Sequence, residues 1–156
     1  MTSPIPIDVK KSDACFQDAG ASEDPLLANK ADEPAFKMTL NANKVEFPFI
    51  PVGKPISVAI RLHNPLPKRQ TFKIRCTSTE IFRVQPPIGF VNPNGTVNLV
   101  IWFNNANKES ATNKKHFFAI YHKTAFNAAR MAPPLWKEGK KDCEGVRRIP
   151  VCFLGR

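Results

Sequence analysis

From Lys37 onward, apolar and polar side chains alternate with a period of two in short runs. That period puts successive side chains on opposite faces of an extended strand, and it does not fit the 3.6-residue period of an amphipathic helix. Ile56, Val58, Ile60 and Leu62 alternate with Ser57, Ala59, Arg61 and His63. Phe72, Ile74 and Cys76 alternate with Thr71, Lys73, Arg75 and Thr77, and Val97, Leu99, Ile101 and Phe103 form a further inward face. Phe117, Ala119 and Tyr121 alternate with His116, Phe118, Ile120 and His122. Shorter candidates are Lys37–Leu40, Lys44–Phe47, Ile81–Val84, Ile88–Val91 and Arg147–Phe153. Asn64-Pro65-Leu66-Pro67 and Asn92-Pro93-Asn94-Gly95 interrupt the runs, the latter reading as a hairpin turn. The chain has 15 prolines but only 7 glycines, and its 12 phenylalanines favour strands. These features predict an all-β sandwich. A polar loop is expected over 104–113. One short helix is allowed within 125–138, where Pro133 and Pro134 would start or stop it.

Charge divides the chain. Residues 1–36 hold three basic and seven acidic side chains, a net of −4, and residues 37–156 hold 20 basic and six acidic, a net of +14. The first segment lacks a sustained period and enough apolar residues to offset its ordering entropy, so a disordered, acidic N-terminal extension is expected over 1–36. A single domain follows over 37–156. No run approaches the ~18 apolar residues of a membrane span, and no apolar signal segment precedes the domain. A cytoplasmic protein with reduced cysteines is therefore expected, in which Cys76 and Cys152 are small buried hydrophobes.

Catalytic signatures are missing. There is no phosphate-binding glycine loop, no HExxH and no GxSxG, and the four cysteines form no CxxC pair. His116 and His122 lie about 20 Å apart along one strand, too far to share a metal, and are expected at the surface. No catalytic residue, cofactor or metal is expected. The basic doublets at 68–69, 114–115, 140–141 and 147–148 are dispersed without a nucleic-acid-binding motif, so nucleic acid is disfavoured as a partner.

The runs Ile60-Arg61-Leu62-His63-Asn64-Pro65, Phe72-Lys73-Ile74-Arg75-Cys76-Thr77 and Val84-Gln85-Pro86-Pro87-Ile88-Gly89-Phe90-Val91 together resemble the major sperm protein (MSP) domain. So do Pro93-Asn94-Gly95, Leu135-Trp136-Lys137-Glu138 and Gly145-Val146-Arg147-Arg148-Ile149-Pro150. The likeness spans roughly residues 37–154. It implies an immunoglobulin-like, seven-stranded, MSP/PapD-like sandwich without enzymatic activity. The family has two broad uses: filament assembly in crawling nematode sperm, and docking of short acidic FFAT peptides by VAMP-associated proteins. The Gly89-Phe90-Val91-Asn92-Pro93-Asn94-Gly95 stretch looks more like sperm members. The resemblance thus implies an accessory protein of the sperm MSP cytoskeleton, forming or modulating filaments in the pseudopod. A soluble adaptor for acidic motifs is the alternative, and a binder of nucleic acid or anionic membrane through the basic face is a second.

Alternation places Lys73, Arg75 and Thr77 outward, and the same frame turns His116 and Phe118 outward on the adjacent strand. The resemblance puts the family's peptide-binding Lys and Met at His116 and Phe118. Phe118 and Ile120 then form either an apolar docking strip or a surface covered by residues 125–136. Trp102 faces out of the opposite sheet, either as an interface anchor or at the sandwich edge. In the extension, Phe16, Asp18 and Ala19 match the centre of a degenerate FFAT peptide. The expected partners are therefore MSP-domain proteins, acidic peptides, or the chain itself as a homodimer or by tail docking.

Overall fold

Strands form where the alternation and the turn residues put them. The structure is a computed structural model that describes residues 24–48, 54–104 and 115–154. Among these are nine strands: β1 (Thr39–Leu40), β2 (Val45–Phe47), β3 (Pro55–His63), β4 (Gln70–Cys76), β5 (Phe82–Gln85), β6 (Ile88–Val91), β7 (Thr96–Asn104), β8 (Phe117–Thr124) and β9 (Gly145–Phe153). One sheet has the order β1-β3-β7-β5 and the other β2-β9-β8-β4-β6. All pairs are antiparallel except β2 with β9. The two shortest strands, β1 and β2, are at sheet edges and raise the count above the seven expected. The allowed helix is a 3-10 turn, Pro133–Trp136, with proline at its start.

The inner faces meet in a core that takes Ile60 and Leu62 from β3, Phe72 and Ile74 from β4, and Leu99, Ile101 and Phe103 from β7. Phe47, Phe82, Phe103, Phe118 and Phe153 gather at one end, with ring centroids 4.8–6.4 Å apart. Each fully buried phenylalanine contributes up to about 3 kcal/mol by leaving water. At the other end, buried Asn64 does polar work. Its side-chain amide donates to the carbonyls of Lys68, Val91 and Asn92 at 3.0–3.2 Å, and its backbone carbonyl accepts from the Asn94 N–H at 2.7 Å. It thereby ties the first proline break to the Asn92–Gly95 turn, where Asn94 takes a positive φ of 63°. That turn is not the expected hairpin, because β6 and β7 belong to different sheets and it carries the chain between them.

Three further expectations are corrected. Residues 24–36, read as part of a disordered extension, form a strap lying along β9. Val146 N–H donates to the Pro34 carbonyl at 3.1 Å, and Arg148 grips the Glu33 carboxylate through two bonds of 2.8 and 2.9 Å. His116 and His122 are buried, not at the surface. Cys152 is buried as expected, but it is disulfide-bonded and not a thiol.

Candidate functional site

The register of the larger sheet sets three cross-strand rows on its outer face. Lys73 of β4 faces Tyr121 of β8, which faces Val146 of β9; Arg75, Ala119 and Arg148 form the next row. Beyond them, Phe117 pairs with Pro150, and Thr77 lies beside it, its N–H bonded to the Phe117 carbonyl at 3.2 Å. Directly opposite side chains on one face sit about 5 Å apart, so the small Ala119 leaves a trough between two arginines.

One end of this face is closed. Trp136 lies on it with its indole N–H donated to Thr71 Oγ1 at 2.9 Å. Lys123 covers the ring at 4.6 Å while its ammonium donates to the Leu135 carbonyl at 2.6 Å and to Asp142 at 2.9 Å. The strap walls one side with Pro25, Leu26, Ala28 and Lys30. Its start is pinned by an ion pair of 3.1 Å from Lys115 to Asp24. On the other side the Lys140 ammonium stands 5.1 Å from the Tyr121 ring centroid. What remains is a groove of about 370 Å³ with an apolar floor and basic walls.

Electrostatics mark the groove as a cation cluster. Burial, followed by Arg75, Lys73 and Arg148, pulls the Lys140 pKa below its ordinary value. Arg148 is neutralised by Glu33, whose carboxyl the Arg148 hydrogen bonds hold down at about 2. Lys73, Arg75 and Lys140 have no carboxylate in ion-pair range among the described residues. Burial pushes the Tyr121 phenol and the Cys76 thiol upward. Among the described residues no three His, Cys, Asp or Glu side chains gather in a metal-holding group. No helix there is long and apolar enough to cross a membrane.

The structure places Lys73 and Arg75 outward on β4 and Thr77 just past its end; Arg75 and Thr77 line the groove, and Lys73 lies beside it across from Tyr121. It reverses the frame read for β8. Phe118 and Ile120 are 1% exposed and lie inside the sandwich, so they form no surface strip. His116 is also turned away from the groove: its Nδ1 is bonded to Thr77 Oγ1 at 2.9 Å and its ring meets the Phe82 ring at 5.1 Å. The outward residues are Phe117, Ala119 and Tyr121, and the segment carrying Trp136 covers Ala119 and Tyr121 in part. The physical reason is that β8 is a central strand with both faces buried, so period two cannot choose between two apolar parities. Tyr121 and Ala119 were missed for that reason, and Lys140 because it reaches the groove from an irregular segment between Trp136 and β9. Trp102 does face outward, 39% exposed on the opposite sheet, and does not belong to this groove. Phe16, Asp18 and Ala19 lie outside the described residues.

Two packed sheets with an open, basic-walled groove define an immunoglobulin-like β-sandwich of the MSP/PapD class, a fold of interaction domains. The profile of the MSP (major sperm protein) domain matches residues 37–144, and the chain belongs to that family. The chain is 42% identical to the Caenorhabditis elegans protein R05D3.5, over 89% of this chain and 86% of that one. It is 47% identical to ZC262.1 of the same organism, over 76% and 88%. Among solved structures, SSP-19, an MSP-domain protein like family member of C. elegans, superposes with a TM-score of 0.62 at 20% identity. The match covers 75% of this chain and 99% of SSP-19. WR4, a C. elegans MSP family member, gives 0.58 at 16% identity, covering 78% and 99%.

Proposed function

We propose that this chain is a non-enzymatic protein–protein interaction module of the nematode MSP cytoskeleton, forming or modulating filaments in the sperm pseudopod. Membership of the MSP family and the C. elegans relatives support the setting. The observation that carries the docking role is the row Arg75–Ala119–Arg148 beside Tyr121 and Lys140, a trough with cations above an apolar floor. A protein segment bearing acidic and apolar side chains together fits it, since the cations supply orientation and the floor supplies burial. The test is light scattering of purified MSP polymerisation with and without this protein. A change in rate or fibre mass, lost in the double variant Arg75→Glu/Lys140→Glu, is expected. Unchanged polymerisation sinks the cytoskeletal role.

The charges of Lys73, Arg75 and Lys140, which meet no carboxylate among the described residues, favour a second reading, a soluble adaptor for acidic short linear motifs. In that case an acidic peptide binds the groove while MSP polymerisation is unaffected.

A further inference from the structure

The groove does not end at β4. β6 pairs with β4 only from Gln70 to Lys73, so β6 leaves the β4 edge uncovered at Arg75 and Cys76. Across the sandwich, β5 is the terminal strand of its own sheet. Between these two edges lies a recess of about 440 Å³, and it shares Arg75 and Cys76 with the groove. On its far side it shares Phe82, Arg83 and Gln85 with a third recess of about 460 Å³, which reaches Trp102. Three hollows joined by common residues therefore run from Tyr121, around the open side of the sandwich, to the outer face of the smaller sheet.

Trp102 is suited to be the end of such a track. It lies between Ser57 of β3 and Arg83 of β5, and the small serine leaves one flank of the indole uncovered. Its exposure of 39% contrasts with 3% for Trp136. The charge along the path is one-sided. Lys30, Arg75, Arg83, Lys140 and Arg148 line the three recesses, and Glu80, at the Trp102 end, is the one carboxylate among their described residues.

We propose that the groove, the β4–β5 edge and Trp102 form one continuous docking track. Its occupant is an extended acidic segment of a partner protein, whose carboxylates meet Arg75 and Arg83 and whose terminal apolar side chain packs on Trp102. This rests on the reading of the groove as a protein-docking site and names the kind of segment it takes. Strand spacings of about 5 Å and a sandwich thickness of about 10 Å give a path of roughly 20 Å from Ala119 to Trp102. At ~3.3 Å per residue, that is about six extended residues beyond those held in the groove.

The probes are two synthetic glutamate-rich peptides with a phenylalanine at each end, one of about six residues and one of about fourteen. They are titrated into the full chain and followed by amide and indole N–H chemical shifts. The two indole signals separate readily, because the Trp136 N–H is buried and bonded to Thr71 whereas Trp102 is exposed. The long peptide is expected to move Arg75, Ala119, Arg83 and the Trp102 indole with one apparent affinity, and the short peptide to move only the groove residues. Trp102→Ala, a surface change, should weaken the long peptide about tenfold or more and leave the short one unchanged. Shifts confined to the groove with both peptides overturn the track but leave the groove reading standing. No shift at Arg75 or Ala119 with either peptide overturns both.

Discussion

Replacing Glu33 by Gln tests whether the strap is held to the sheet by charge. Glu33 accepts two bonds from the Arg148 guanidinium and one of 2.8 Å from the Lys30 backbone N–H, and the two side chains of the ion pair are 17% and 8% exposed. These bonds, the Arg148 pair first, lower its pKa from 4.5 to about 2. At about 1.36 kcal/mol per unit, that shift sets a ceiling of ~3.4 kcal/mol on its contribution. Partial solvent screening and residual bonding by the glutamine amide bring the expected loss to about 2 kcal/mol. With a urea slope of about 1.5 kcal/mol/M, the midpoint at pH 7 should fall by roughly 1 M. The sign with pH follows from the depressed folded value. The stabilisation is fully present above the ordinary pKa of 4.5 and is lost as the pH falls toward 2. Wild type should therefore lose this increment between about pH 5 and 2, and Glu33→Gln should lack it, so the two converge in acid. Equal urea midpoints at pH 7, or parallel acid profiles, would refute the ion-pair account of the strap.

Buried His122 should act in a higher pH window. Burial first, then Lys37, lowers its pKa from 6.5 to about 4. Protons therefore bind the unfolded chain preferentially, and wild-type stability should decline as pH falls from 6.5 toward 4; a His122→Gln variant without that decline, measured by urea titration at stepped pH, confirms the assignment. Gly145→Ala should be strongly destabilising, by about 3 kcal/mol or more, because the added methyl would sit 2.2 Å from the His122 ring and 2.9 Å from the Ala35 carbonyl. A Tm within 2–3 degrees of wild type, about what an ordinary surface change costs, contradicts that close packing. Phe118→Ala should cost about 3–5 kcal/mol in thermal or urea unfolding, as a core truncation does; a surface-like cost below ~0.5 kcal/mol would restore the outward reading. Arg75→Glu, exposed on β4, should leave the urea midpoint nearly unchanged while weakening acidic-peptide binding, and a destabilised protein would show that Arg75 is structural.

Strand identity, and the inward faces of β3, β4 and β7, were legible in the sequence because polar residues mark the outward parity of each. Ile60 and Leu62 alternate with Arg61 and His63, and Phe72 and Ile74 with Thr71, Lys73 and Arg75; in β7 the polar Asn98 and Asn104 mark the outward parity although Val100 and Trp102 share it. Period two then assigns the faces without knowledge of the partners. The outward positions of Lys73, Arg75, Thr77 and Trp102 follow from the same rule. Beta8 defeats the rule, since Phe117, Phe118, Ala119, Ile120 and Tyr121 are apolar in both parities and the strand is covered on both sides. Only its pairing with β4 and β9, and the docking of Trp136 on Thr71, decide that Ala119 and Tyr121 make the groove floor while Phe118 fills the core.

The strap shows the same division in electrostatic form. As a stretch of sequence, residues 24–36 are short and without a sustained period, and have no core of their own to fold around. Against β9, Glu33 meets Arg148 and Asp24 meets Lys115, 115 and 91 residues away along the chain. The sequence alone determines an all-β sandwich of the MSP family with a basic domain and an acidic beginning, because alternation, turn residues and charge are local properties. The tertiary structure decides which cations are neutralised and which are left facing the groove, because that depends on residues brought together across the whole chain.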